Sequence, residues 1–291
     1  MDRDWIIIFI LGLGWGTSFF FMEVLLNDLG PYTIGFLRVS TAALTCWVIL
    51  AATGRARAIT SGQWGKVFAI GALMFALPMS AFPLGQQYVA SGIAGIINAL
   101  TPVLVVIISH FWPEGERATQ LKVFGVFAGF LGIIFITIPE LNSGEGSRLL
   151  GVLLCLLAPL GYGFGTNLIR SAKSMDMGVV AAWSFTFASI LILPVMMLSE
   201  GLPSNVSGTS ILSVLILGPV LTGIFFMIAF AILPRAGATK TSTVTFIAPL
   251  SAVFLGWFVL NENLQILHFA GMAAIFTGLI FIDGRIARQR N

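Results

Sequence analysis

Charge is what this sequence has least of. Only 9% of its 291 residues are Asp, Glu, Lys or Arg, where a soluble domain carries about 25%. Hydrophobic residues make up 57% of the chain, and the mean hydropathy is +0.99. A folded soluble chain needs polar cover that this composition does not supply, so the bilayer is the solvent that suits it. Histidine is scarce: there are two, His110 and His268. Neither has a metal-ligand companion at useful spacing, so both are expected in interfacial roles near helix ends. The two cysteines, Cys46 and Cys155, fall inside apolar runs and are expected as small core residues rather than a disulfide. A membrane-embedded enzyme would need a His/Asp metal set or a Ser/Lys pair inside a span, and the runs offer neither. Lys240-Thr241 resembles the tail of a phosphate loop but lacks the Gly before the Lys, so no nucleotide and no other cofactor is expected. The basic residues are not interleaved with aromatics as a nucleic-acid surface requires, so no nucleic acid is expected either.

What is present is long apolar runs. About 20 apolar residues cross the ~30 Å of a bilayer core as a helix. The chain offers runs at 5–24, 32–52, 64–87, 91–112, 119–138, 149–170, 178–198, 210–233, 238–260 and 265–284. Turn chemistry separates them, as at Asn27-Asp28-Leu29-Gly30-Pro31 and Pro203-Ser204-Asn205. The first run is too long for the apolar region of a signal peptide and shows no small-residue cleavage site, so it reads as a span. With the N-terminus in the cytoplasm, 13 of the 15 basic residues fall on the inner side, Arg148 falls outside, and Arg38 lies within a span. That bias supports ten spans with both termini cytoplasmic.

The chain also repeats itself. Gly14-Trp15-Gly16 matches Gly161-Tyr162-Gly163, and Thr101-Pro102 matches Ala248-Pro249, each 147 residues on. Gly115-Glu116 matches Asn261-Glu262, and Gly125 and Gly132 match Gly271 and Gly278, each 146 on. Five spans per half is an odd number, so the second half starts on the opposite side of the membrane. The expected fold is an all-α membrane protein of ten transmembrane helices, built as two inverted five-helix repeats over residues 1–140 and 147–291. Inverted repeats recur in secondary transporters, with a substrate site near the midplane between the halves.

Trp15-Gly16-Thr17-Ser18-Phe19, Pro31, Phe36-Leu37-Arg38, the stretch from Ala90-Ser91 to Ala99-Leu100-Thr101-Pro102, and Glu116-Arg117 resemble the first repeat of the EamA-like drug/metabolite transporters. Ala238, Ala248-Pro249 and Asn261-Glu262 repeat the pattern in the second half. The resemblance covers nearly the whole chain. It implies a ten-helix carrier of small metabolites, often an exporter of amino acids or related compounds. Relatives often carry a basic residue near the end of span one, where this chain has Glu23.

Charges inside a membrane need a reason. Glu23 and Arg38 could fasten spans one and two as an ion pair. Alternatively they face a cavity and meet a charged substrate, or Glu23 carries a proton or reaches to water. Glu23 tilts the expected substrate towards a zwitterion or a cation. Trp15 and Tyr162 lie near the middle of their spans at equivalent positions, as core packing or as aromatic walls of a central site. Asn98 and Thr245 are repeat-matched and lie four residues before Pro102 and Pro249, whose missing amides leave the carbonyls of Asn98 and Thr245 free. Thr101 and Asn167 complete the candidate substrate-binding set. The glycines at 125, 129 and 132 form a small-residue helix-packing face. The expected function is secondary transport of a small metabolite across the cytoplasmic membrane, as an exporter and not an enzyme. An uptake carrier, or a membrane receptor without transport, is the runner-up. The expected partners are a small-molecule substrate and the bilayer, with proton coupling and a monomer or homodimer left open.

Overall fold

A computed structural model describes residues 3–113, 115–142, 146–172, 174–232 and 244–283. Among them the chain is all-helical and contains no strand. We number its helices α1 (Arg3–Leu25), α2 (Pro31–Ala52), α3 (Ser61–Gln86), α4 (Ser91–Phe111), α5 (Gln120–Asn142), α6 (Gly146–Ser171), α7 (Met177–Ser199), α8 (Gly208–Ile232), α9 (Val244–Phe258) and α10 (Ile266–Asp283). The first eight are each long and apolar enough to cross a membrane, and α9 and α10 are shorter apolar helices. This is a multi-pass membrane protein. The ends of α1 to α8 fall within a few residues of the expected spans. The start of the expected ninth span, 238–243, lies outside the described residues.

Local sequence sets these ends. Pro31, which has no N–H to leave unpaired, opens α2. The Asp176 carboxylate caps α7 by accepting from the amides of Gly178 and Val179. Thr60 and Ser207 are N-caps of α3 and α8 and lie 147 residues apart. Gly54 and Gly201, also 147 apart, follow α2 and α7 with φ of +66° and +74°, the left-handed conformation that closes a helix.

Three helices depart from regular α geometry near the middle. α3 is π-helical over Gly71–Ala76 and α8 over Ile216–Ile224, at corresponding places in the two halves. α4 loosens at Ala99 and Leu100, directly before Thr101-Pro102. Such interruptions release backbone groups and often mark functional positions.

In the packing, α1 lies against α9 and α6 against α4, α2 lies against α8 and α7 against α3, while α2 meets α7 and α5 meets α10. The last pair is built on glycine. A Cβ on Gly125 or Gly278 would lie 2.5 Å from the other's carbonyl oxygen, and one on Gly132 or Gly271 2.7 Å away. The outer faces of α5 carry exposed Phe124, Phe127 and Phe130, suited to lipid.

His268 departs from its expected interfacial place. It is 1% exposed at the start of α10. Its Nδ1 accepts from the Gln265 amide at 3.0 Å, which leaves Nε2 facing Glu140 Oε1 at 3.1 Å. Arg148 Nη1 stands 3.7 Å from the other Glu140 oxygen, so this buried carboxylate at the end of α5 is compensated.

Acidic side chains elsewhere tie loops to helix ends. Glu200 accepts from the amides of Tyr32 and Thr33, both at 2.8 Å, and from the Thr33 hydroxyl at 2.7 Å, capping α2. Glu262 accepts from the amides of Ser91 at 2.7 Å and Gly92 at 2.9 Å, capping α4. Asp28 takes the Ser207 amide and the Ser210 hydroxyl, and the Ser207 side chain, with those two bonds, holds its carboxyl below the usual range.

Candidate substrate cavity

Close helix approach builds the middle of the bundle. Gly16 of α1 lies against the Ala248 carbonyl and Ser251 of α9, and its equivalent Gly163 of α6 against Leu104 and Ile108 of α4. Gly14 meets Phe225 and Leu221 of α8, and its equivalent Gly161 meets Leu73 and Leu77 of α3. Glycine lets these backbones approach without a Cβ between them. The large residue between each glycine pair, Trp15 or Tyr162, is thereby turned into a shared cavity.

That cavity has a water-accessible volume of about 170 Å³. A water needs about 10–15 Å³ by this measure, so the space suits a small metabolite and not a peptide. Six of the eight residues expected at a substrate site line it: Trp15, Arg38, Asn98, Thr101, Tyr162 and Thr245. They come from α1, α2, α4, α6 and α9, and none is within ten residues of another except the Asn98–Thr101 pair.

Glu23 and Asn167 are not among the lining residues. Glu23 accepts from Gln86 Nε2 at 3.0 Å, and the same nitrogen donates to the Phe19 carbonyl. The expected Glu23–Arg38 ion pair is not formed. On a helix, successive side chains turn by about 100°; Met22 faces Arg38, and Glu23 is carried round to α3. Asn167 is 2% exposed. It accepts from Ser109 at 2.7 Å and donates to the Gly163 carbonyl, within the α4–α6 contact one residue past the lining Thr166.

Arg38 is 6% exposed. Its Nε donates to Thr222 Oγ1 at 2.9 Å and its Nη1 to Met22 Sδ at 3.4 Å. Thr222 in turn donates to the Leu217 carbonyl at 2.7 Å, inside the π-helical stretch of α8. Trp15 Nε1 donates to the Leu221 carbonyl of the same stretch at 3.0 Å. In α4 the Asn98 carbonyl, without the Pro102 amide, takes the Thr101 hydroxyl at 2.8 Å. A freed backbone group is thus satisfied locally rather than offered to a ligand.

The remaining described wall is largely apolar. Phe226 lies 5.2 Å from Trp15 with the rings tilted by 45°, Phe19 and Phe82 meet edge to face at 5.0 Å, and Met22, Met74 and Met79 fill between them. None of the described lining residues is acidic. Ser18 lines the cavity too, and its buried hydroxyl has no partner among the described residues. Ser18 and Thr222 are ordinary small polar residues in apolar runs, and only the helix packing distinguishes them.

A family model described as the EamA-like transporter family matches the chain twice, over residues 4–138 and 149–283. An uncharacterized transporter of Bacillus subtilis, YoaV, is 26% identical over 278 residues, covering 95% of both chains. Protein PecM of Dickeya dadantii is 24% identical, with 92% of this chain and 88% of that protein aligned. Protein PagO of Salmonella typhimurium is 27% identical, with 86% and 83% aligned. A crystal structure with 20% identity superposes with a TM-score of 0.68 over 98% of both chains, which establishes a shared fold.

Proposed function

We propose that this protein, which belongs to the EamA-like transporter family, is a secondary transporter that carries a small metabolite across the cytoplasmic membrane by alternating access. Its family and relatives point to a transporter rather than an enzyme. The substrate is an amino acid or a related amine-containing compound, and the direction is export, as the family resemblance favours.

One observation carries the reading: Trp15 and Tyr162, equivalent in the repeat, meet in one cavity midway along helices from both halves of the chain. Two further features support it. The family model matches once in each half. Exchanging α1–α5 with α6–α10 also maps several of the larger helix contacts onto one another, which supports an inverted pair of five-helix repeats: α1–α9 becomes α6–α4, and α2–α8 becomes α7–α3. Two similar units of opposite sense have two nearly equivalent ways to pack, and each presents the central site to one side of the membrane. The basic bias of the loops supports both termini on the cytoplasmic side.

The test is reconstitution of the full chain in liposomes with a broad metabolite panel. Substrate-dependent flux that is lost on Trp15→Ala with Tyr162→Ala is expected. Absence of flux for every compound would remove the transport reading. Loading the vesicles from the inside or the outside distinguishes export from uptake.

A further inference from the structure

Arg38 is a buried cation with only neutral partners. Among the described residues its hydrogen bonds go to the Thr222 hydroxyl and the Met22 thioether, and no carboxylate lies within ion-pair distance. Thioether sulfur is a weak acceptor. Guanidinium has five N–H donors, and these contacts use two of them. Burying such a charge without an opposite one is unfavourable, and intramembrane charges are kept for function. The segment 233–243, by its sequence, holds Arg235 and Lys240 and no acid.

The rest of the cavity has the same bias. No described lining residue is acidic. Ser18 is 2% exposed and lines the cavity from α1, and its hydroxyl has no hydrogen-bond partner among the described residues. Tyr162 lines it as well, and its phenol makes no hydrogen bond among the described residues. Three groups able to donate, one of them positive, therefore converge on an otherwise aromatic and methionine-lined space. Because Thr222 already donates to Leu217, its oxygen accepts from Arg38 Nε, and with Nη1 on Met22 Sδ the guanidinium keeps its Nη2 donors unused among the described residues.

We infer that Arg38 anchors a substrate carboxylate, and that the transported class is small organic acids with an apolar body, including zwitterionic apolar amino acids but not bare amines. This rests on the transport reading above and moves the required group of its substrate from the amine to the carboxylate. The carboxylate supplies the missing negative charge and can accept two parallel N–H bonds from the guanidinium. The aromatic and methionine wall takes the apolar body. An ammonium without a carboxylate would meet Arg38 as a like charge.

The test uses purified full-length protein and thermal unfolding with phenylalanine, 3-phenylpropionate, phenylalaninamide and phenethylamine, plus the corresponding leucine series, at constant ionic strength. The two acids of a series should stabilise the protein, and the amide and amine should not. Arg38→Met should abolish this stabilisation, a loss of affinity of about tenfold or more for a charge-assisted contact. It should leave the melting temperature of the ligand-free protein unchanged or raised, because a buried uncompensated charge is replaced by an apolar chain. A lower melting temperature would instead make Arg38 a structural tether and overturn the proposal. A second variant, Arg38→Lys, keeps the positive charge but not the planar fork and should weaken the acids; acid binding as tight as in the wild type overturns the proposal. So does binding of amides and amines as tight as that of acids, stabilisation by chloride equal to that by the acids, or failure of every acid to bind. Flux measurements separate the two readings. Arg38-dependent acid binding without flux leaves the site and removes transport, whereas flux of an amine indifferent to Arg38→Met does the reverse.

Discussion

Gly125 of α5 and Gly278 of α10 approach so closely that a Cβ on either would stand 2.5 Å from the other's carbonyl oxygen. Gly132 and Gly271 repeat the contact two turns away at 2.7 Å, with the helices running antiparallel. Backbone, not a flexible side-chain end, is what the new methyl would meet. Alanine at Gly125 or Gly278 must therefore push the helices apart, and we expect a loss of about 1–3 kcal/mol, read as a lower melting temperature in detergent. Gly65, near the start of α3, is the control. Nothing lies within 4 Å of its Cβ position, and Gly65→Ala should stabilise by up to about 1 kcal/mol. Equal responses at Gly65 and Gly125 would refute the packing argument.

Glu200 and Glu262 each cap a helix far away in sequence, α2 and α4. Glutamine at either position keeps one acceptor but turns an NH2 group towards a backbone N–H. Each change should cost about 1–2 kcal/mol. For Glu262→Gln, hydrogen exchange at the Ser91 and Gly92 amides should quicken while exchange at Tyr32 and Thr33 stays as it was. Unchanged protection at Ser91 and Gly92 would mean the capping bonds are not holding that helix end.

The Asn261-Glu262 match to Gly115-Glu116 was legible as a repeat, but its capping role was not. A cap that crosses 170 residues of chain leaves no local pattern. The helices themselves were legible because a span needs a long apolar run, and the turns between them carry Gly, Pro, Asn and Ser. Of the six expected residues that line the cavity, Trp15, Tyr162, Asn98, Thr101 and Thr245 stood out through the repeat offset, and Arg38 as a charge inside a span. Whether Glu23 paired with Arg38 or faced a cavity was open in the sequence, because helix rotation decides which side chain faces which. Ser18 and Thr222 had no signal of their own. His268 looked like an end-of-helix residue, and only the α5–α10 contact reveals that it meets a buried Glu140.

Asp176 offers a pH prediction at the membrane edge. Burial pushes its carboxyl up, but the hydrogen bond and charge of Arg55, with the Val179 and Gly178 amides, outweigh that and hold it below the ordinary carboxylate value. Its native pKa is therefore lower than its unfolded one. The stability it contributes is present above the unfolded pKa, about 3.9, and is lost as pH falls through the lowered native value. Asp176→Ala should reduce stability at pH 7 by about 1–2 kcal/mol, from the lost cap and a partly exposed ion pair. The difference between wild type and variant should shrink below pH 4. A difference independent of pH would assign the whole effect to something other than the ionised carboxylate.

Trp15 separates wall from tether. Its indole nitrogen bonds the Leu221 carbonyl at 3.0 Å, and its ring faces the cavity beside Phe226. Trp15→Phe removes the bond and keeps most of the aromatic face. Trp15→Ala removes both. The lost hydrogen bond should lower stability by about 1 kcal/mol in either variant, and the lost bulk should lower it further in Trp15→Ala. Affinity for an apolar-bodied ligand should follow the ring, falling little in Trp15→Phe and by about 2- to 10-fold in Trp15→Ala, the range expected for one aromatic contact. Tyr162→Phe, which keeps the ring and deletes the phenol, should spare the apolar contact and weaken only ligands that carry an acceptor. If Trp15→Phe and Trp15→Ala lose affinity equally, the tether to α8 shapes the site and the ring itself does not touch the ligand.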